Sequence, residues 1–390
     1  MKLPAPEERG DLLKDRQRRK MARSAQTYVR GATVRFYDWL SQDGRALPEG
    51  PPVWICGDCH YGNLGPVANA KGEVAIQIRD LDQTVIGNPT HDLIRLAFSL
   101  ASAARGFDLP GVTTARLVEQ AVEGYLAALA AEPDEASDKP PLIKGLLRES
   151  RQRSWRHLAR ERIKDLEPSI PLGKRFWPLS KDERGALEEL IADVRVRDLI
   201  TSLHSRPSDA DIKLVDAAYW VKGCSSLGLM RYAVLVEIGG GKTGELSLVD
   251  VKEATRARAP RSADQPTPRD NGERVVEGAQ HLAPYLGQRM RAGRMLDRPV
   301  FVRELLPQDL KLEIDALEPD EAVTVAGFLA GVVGRAHGRQ MSAIDRKAWV
   351  KTMGEGRSKT LDAPSWLWRS VVDLMGSHEA AYLDHCRQFA

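Results

Sequence analysis

Between residues 57 and 63 the chain reads Gly-Asp-Cys-His-Tyr-Gly-Asn, directly after the short apolar run VWIC. An aspartate thus stands five positions ahead of an asparagine, a pairing suited to work on phosphorylated molecules. The Asp58 carboxylate can take the proton of an attacking hydroxyl. The neutral amide of Asn63, one loop-turn away, can help hold magnesium on phosphate oxygens. Seventeen residues past Asn63 comes Asp80-Leu81-Asp82, at the end of an alternating apolar and polar segment. A carboxylate leaving a strand beside that loop can ligate the same cation, so Asn63, Asp80 and Asp82 form the candidate metal set. His60, next to Asp58, reads as a hydrogen-bond partner that orders the loop, with a direct catalytic role as the alternative. The stretch Gly87-Asn88-Pro89-Thr90-His91-Asp92-Leu93 is a turn opening a helix, with Thr90 or Asp92 as its N-cap.

A second group of residues lies far downstream. Gly223-Cys224-Ser225-Ser226-Leu227-Gly228 sits between two strand-like runs. Small residues there, Gly223, Ser225, Ser226 and Gly228 among them, let backbone N–H groups approach phosphate oxygens. The third run, LSLVDVKEA, presents Lys252 at its end. The helix ERVVEGAQHL that follows offers Glu273 and Glu277, four apart on one face; periodicity does not choose between them, and Glu277 is the favoured partner. RPVFVREL is a further strand, and its Glu304 is a candidate nucleotide-binding residue.

The elements needed to position these groups are ordinary for a soluble globular protein. The chain has 390 residues, enough for two lobes, with 42% hydrophobic and 28% charged residues. It opens on charged and proline residues with no apolar leader, and no run approaches the length of a spanning helix, so no membrane partner is expected. Four cysteines are too few for a disulfide framework of this size, and a cytoplasmic location is expected. A formal charge of +3 does not imply nucleic acid. Residues 10–42 read as helical, GDCHYGNLGP as a loop, and EVAIQIRDLD as a half-buried strand into a loop. From about 110 to 205 the pattern is helix and connecting loop. AAYWVKG, LMRYAVLVEI and ELSLVDVKEA form a small antiparallel meander; 271–290 returns to helix, and everything after about 319 is helical. Residues 257–272 read as a flexible loop.

Three elements in order (GD-x-H-x-x-N, a strand ending in D-L-D, and G-N-P-x-x-D-L) resemble the aminoglycoside and choline kinase branch of the protein-kinase-like superfamily. The resemblance implies Asp58 as catalytic base, Asn63 and Asp80 as magnesium ligands, and Asp92 as the aspartate that steadies the loop. Cys56 and Leu81 depart from that pattern at positions that touch neither phosphate nor metal. The nucleotide-clamping elements come after the catalytic loop instead of before it: glycine hairpin, Lys252, Glu277, the strand into an adenine-receiving hinge, and a lead-in helix AVTVAGFLAGVVGRAHGRQ. This order implies a circularly permuted α+β, two-lobed kinase-like fold, with its joint in the connection before Ala217. The parts would be 1–213, helical with the catalytic loop; 214–310, β-rich and nucleotide-clamping; and 311–390, helices returning to the first lobe. The stretches YVRG, GDCHYGN, RDLDQT, KGCSSLGLMRY, VKEA and RVVEG further resemble an uncharacterised bacterial domain-of-unknown-function family, number twenty-two fifty-two.

The implied activity is ATP- and magnesium-dependent transfer of the γ-phosphoryl group to a hydroxyl of a small molecule. A kinase-like AMP-transferase and a nucleotide-binding pseudokinase scaffold are the alternatives, and a protein acceptor stays open. Residues 144–164 carry eight Lys or Arg against two Glu. Such a run is most simply a solvated face, and otherwise a surface for an anionic acceptor. GGGKTG at 239–244 lacks the spacing of a phosphate loop and reads as a turn. Cys56-x-x-Cys59 has no second pair for zinc. His337, on an apolar helix, reads as a satisfied core histidine.

Overall fold

A computed structural model describes residues 3–42, 47–106, 109–132, 138–153, 169–203, 206–240, 244–263, 265–306, 308, 317–355 and 363–389. Two hydrophobic cores organise it. The first is helical: Thr90–Gly106, Gly111–Ala130, Pro319–Gly338 and Ser365–Phe389 bury their apolar faces together. Helices Gly111–Ala130 and Pro319–Gly338 touch backbone to backbone. A Cβ on Gly124 would stand 2.0 Å from the Gly327 carbonyl oxygen, so only glycine fits.

Against this core lie two small antiparallel ribbons. β1 (Val53–Ile55) pairs with β4 (Val85–Gly87), and β2 (Leu64–Ala68) pairs with β3 (Val74–Ile78). The period-two burial of β3 matches its alternating sequence. β2 was not expected. Leu64–Ala68 belongs to a ribbon because its run LGPVA is buried at every position, which hides the alternation. The pairing aligns Leu64 with Ile78, and Arg79 N–H donates to the Asn63 carbonyl oxygen (2.7 Å), so the metal-set residues sit at one end of the ribbon.

The second core belongs to a six-stranded antiparallel sheet, in the order β5 (Phe176–Trp177), β6 (Ile212–Trp220), β7 (Arg231–Ile238), β8 (Glu245–Glu253), β10 (Arg298–Leu305), β9 (Met290–Met295). It is larger than the expected meander. β5 breaks the stretch read as helix and loop, and β9 claims the end of the stretch read as helix, which instead stops at Leu282 with a single turn at Pro284–Gly287. Helices Lys181–Ala192 and Val194–Ile200 pack Leu187, Ile191, Leu199 and Ile200 on the outer face of the sheet, beside Val234, Val249 and Val302. The sheet-bearing part therefore begins well before residue 214. The opposite face carries Leu248, Leu235 and Leu305, then Asp250, Lys252, Arg231 and Arg303 toward the ribbons. Helix Arg9–Met21 joins the sheet through Leu13 and is followed by Ala25–Gly31 and Thr33–Leu40, in accord with the helical reading of 10–42.

The stretch 257–272 is docked instead of loose: Arg258 N–H donates to Gln83 Oε1 (2.8 Å) and Ser262 N–H to the Ile86 carbonyl oxygen (2.8 Å). In the basic stretch, Pro141–Gln152 is helical and 154–164 lies outside the described residues. β7 and β8 pair as a hairpin, Ile238 opposite Glu245, around GGGKTG, of which 241–243 also lie outside. Among the described residues no helix is long and apolar enough to cross a membrane.

Candidate active site

The loop after β1 is shaped by Gly57, whose φ of +76° is costly for other residues and whose Cβ would lie 2.2 Å from the Gln83 carbonyl oxygen. Asp92, in the first turn of its helix, accepts from Cys56 N–H (2.7 Å) and Gly57 N–H (2.9 Å). Two buried amides at the bend thus receive charge-assisted bonds. His337 approaches Asp92 through Nε2 (3.1 Å) and Tyr125 Oη through Nδ1 (2.9 Å), so both its ring nitrogens are engaged. Three residues on, Gln340 clasps Trp54, accepting its N–H (2.8 Å) and donating to its carbonyl oxygen (3.1 Å). Helix Pro319–Gly338 therefore ends on β1, although 286 residues separate Gln340 from Trp54.

The Asp58 carboxylate is buried and occupied on both oxygens. Arg95 Nε donates to Oδ1 (2.9 Å) and Thr33 Oγ1 to Oδ2 (2.9 Å). Arg95 is itself fully buried, and that carboxylate offsets part of the cost of its desolvation. Asn63 Nδ2 donates to the Asp58 carbonyl oxygen (2.9 Å), which leaves the amide oxygen of Asn63 for a ligand. Burial holds His60 neutral, its pKa lowered to about 3, and its Nδ1 is buried without a partner. Cys56 and Cys59 are free, buried thiols, and Cys56 Sγ donates to the Asp80 carbonyl oxygen (3.5 Å).

Asp80 and Asp82 meet Lys252 across 172 and 170 residues of chain: Nζ lies 3.4 Å from Asp80 Oδ1 and also bonds Asp82 Oδ2. The two carboxyls are driven apart in acidity. Desolvation would raise Asp80, but the Lys252 ammonium, with help from Asp82, Arg303 and Arg231, holds it well below the usual carboxylate range. Desolvation and then the Asp80 charge push Asp82 up to about 7. Asp82 Oδ1 is buried with no partner. A cation between such carboxylates would relieve their repulsion. With the Asn63 amide oxygen they give an all-oxygen donor set, which fits magnesium whose remaining positions are filled by phosphate and water. Among the described residues no three His, Cys, Asp or Glu side chains converge on one point, so protein carboxylates alone do not make a closed cage.

The glutamates expected to pair with Lys252 do not reach it. Helix Asn271–Leu282 turns Arg274, Val275, Gly278 and Ala279 inward, which leaves Glu273 exposed and Glu277 half-buried, with no ion pair to either among the described residues. Arg274 instead clamps the DLDQT loop, donating to the carbonyl oxygens of Thr84, Asp82 (3.0 Å) and Thr255 (2.8 Å). Glu304 is also away from the cleft. It alternates with Arg303 along β10 and is buried on the outer face against Arg206 (2.6 Å) and Ser247 (2.5 Å). On the cleft side, Asp250, two residues before Lys252, is fully buried between Arg231 (2.6 Å) and Arg303 (2.8 Å).

The 223–228 hairpin uses the freedom of glycine at both ends, with φ of +100° at Gly223 and Gly228. Its carbonyls are tied to helix Arg9–Met21: Lys20 Nζ donates to Gly223 (2.6 Å) and Gln17 Nε2 to Cys224 (3.0 Å). Ser225 and Ser226 then share a cavity of about 610 Å³ with Thr33, Asp82, Arg256 and Arg258. The fold thus brings Asp58, His60 and Asn63 into one loop, Asp80 and Asp82 onto Lys252, and the hairpin serines onto the Asp82 wall. Arg95, Thr33 and Arg274 were missed, and no local pattern marks them, because each acts on a partner remote in sequence.

No curated protein and no solved structure matches the chain. A family model described as an uncharacterized protein conserved in bacteria matches residues 11–388, which include every residue of the two clusters. The chain therefore belongs to the DUF2252 family.

Proposed function

We propose that the protein is an ATP- and magnesium-dependent phosphotransferase with a circularly permuted kinase-like arrangement, acting on a hydroxyl of a small molecule. The observation that carries the reading is the Lys252 ammonium lying 3.4 Å from Asp80 and bonded to Asp82. A lysine at the end of β8, the second strand after the glycine hairpin, meeting an aspartate downstream of a D-x-x-x-x-N loop brings together groups that phosphate and magnesium recognition uses. The clasp of Gln340 on Trp54 supports the permutation, because it abuts the lead-in helix and the strand that an unpermuted chain would join directly. Two departures accompany it: Lys252 pairs with the aspartates and not with Glu277, and Asp250 with its two arginines fills a place beside the phosphates.

Each side chain then has a task. Asp58 accepts the acceptor hydroxyl proton, while Arg95 and Thr33 fix the carboxylate's orientation. The bond from the acceptor oxygen to the γ-phosphorus forms as the bond to the β,γ-bridging oxygen breaks, and ADP leaves. Lys252 moves from the aspartates to the phosphates, and the hairpin amides cover them. Asn63, Asp80 and Asp82 would hold magnesium, which neutralises the charge on the phosphoryl oxygens.

Thermal stability and ATP turnover test the reading directly. Magnesium and an ATP analogue together should raise the melting temperature, and both Asp80→Asn and Lys252→Ala should remove the shift. No nucleotide binding at millimolar ATP would overturn it. A second reading, transfer of AMP, is favoured by one observation: both Asp58 oxygens are already engaged, which weakens the carboxylate as a base. The mass added to the acceptor distinguishes phosphate from adenylate.

A further inference from the structure

The cavity of about 610 Å³ between the hairpin and the DLDQ loop has an uneven wall. Four of its lining residues carry hydroxyls: Ser225, Ser226, Thr255 and Thr33, the last of which donates to Asp58 Oδ2 (2.9 Å). At its mouth stand Arg256 and Arg258, exposed and without an ion pair among the described residues. Among the described residues Asp82 is the one acidic side chain lining it, and it is already bonded to Lys252. The loop carrying the arginines is held in place. Arg258 N–H is bonded to Gln83 Oε1 (2.8 Å), and Arg274 grips the Thr255 carbonyl oxygen (2.8 Å). Two guanidinium groups without an ion pair among the described residues, carried on a held backbone beside a hydroxyl-lined hollow, suit an anion, since arginine's fork matches carboxylate and phosphate oxygens.

We infer that this cavity is the acceptor site and that the acceptor is an anionic hydroxy compound, its phosphate or carboxylate held by Arg256 and Arg258. The inference rests on the phosphotransferase reading for the word acceptor, but the anion site stands on the cavity alone. The anion end would lie at the arginines and the reacting hydroxyl toward Thr33, whose bond to Asp58 puts the base one hydroxyl from the cavity. This locates a cationic recognition surface on the segment after β8.

Calorimetry on the intact protein tests it, with inorganic phosphate, glycerol 3-phosphate and glycerol as probes. The two phosphate compounds should bind in the millimolar range or tighter, and glycerol should not. Arg256→Ala/Arg258→Ala should weaken them at least about tenfold, while Arg256→Lys/Arg258→Lys restores part of the loss. The affinity for an ATP analogue should stay within about twofold in both variants. Absence of phosphate binding to the parent protein would overturn the inference. So would an equal loss of ATP-analogue and phosphate affinity, which would make the cavity the seat of the nucleotide's own phosphates and leave the phosphotransferase reading intact. Phosphate binding that needs the arginines, in a protein that binds no nucleotide, would instead remove the phosphotransferase reading and the acceptor role with it.

Discussion

In the loop 56–63 almost every group that could hold the chain has a buried partner. Asp92 takes two amides, His337 braces Asp92, and Arg95 with Thr33 fixes Asp58. The hairpin 223–228 has less of this. It is steadied by Lys20 and Gln17 of helix Arg9–Met21 and by turns that rely on Gly223 and Gly228, while Tyr219 Oη and Glu253 hold Leu229 and Met230 just past it. The difference follows from the work proposed for each. A proton acceptor and metal ligands must be preorganised to fractions of an ångström, so their loop is locked into the helical core. A phosphate cover must open for nucleotide to enter, so weak, replaceable ties suffice.

The contrast can be broken most sharply at Asp92. Asp92→Ala strands two buried amides and the His337 ring, and should cost about 3–5 kcal/mol in a urea titration. A loss below about 1 kcal/mol would show that the loop is held elsewhere. Asp80→Asn should do the reverse, costing much less stability than Asp92→Ala because Asp82 stays on Lys252, while lowering magnesium-dependent turnover by at least about a hundredfold. Lys252→Ala should reduce ATP-analogue affinity by about tenfold, measured by calorimetry.

A smaller effect is a pH slope. Asp82's folded pKa of about 7 lies above the ordinary carboxyl value of about 4, so the native state keeps a proton that the unfolded chain has lost. Its contribution to stability is full below about pH 4, declines as pH rises toward 7, and is flat above. Asp80 and Asp250, both depressed, act oppositely: their contribution is present above about pH 4 and is lost on acidification. Asp82→Asn should flatten the decline between about pH 4 and 7 in a series of urea titrations. The smallest change belongs to the hairpin. Lys20→Ala should alter stability by less than about 1 kcal/mol and nucleotide affinity by about threefold, because the tie to the Gly223 carbonyl oxygen sits at a half-exposed site. An effect as large as that of Asp92→Ala would erase the difference between the two loops.

Much of the first cluster was legible because it is local. Asp58, Asn63, Asp80 and Asp92 lie within 35 residues, and short spacings with a period-two strand between them are what a sequence displays directly. The second cluster was legible only in part. Lys252 and the hairpin glycines stand at strand ends and turns that propensity marks. Glu277 was misplaced because two glutamates on one helical face say nothing of which way the face turns, and Arg274 with Gly278 won that contact by fitting against Thr84. Glu304 failed for the same reason in a strand: alternation assigns it a face, and the neighbouring Arg206 decides which face is the cleft.

By itself, the sequence determined most of the order of elements, β2, β5 and β9 excepted, with the loop that Gly57 bends, the alternation of β3 and the oxygen donors that Asp58, Asn63 and Asp80 offer. These depend on backbone freedom, side-chain type and spacing, which act over a few residues. Tertiary structure decided everything that required two distant segments to meet. It put Lys252 on Asp80 and Asp82, buried Arg95 beneath Asp58, seated Gln340 on Trp54, and left Arg256 and Arg258 over a hollow. Such meetings are chosen by burial of apolar faces and by the need of each desolvated charge for an opposite one, and neither condition can be evaluated until the cores have formed.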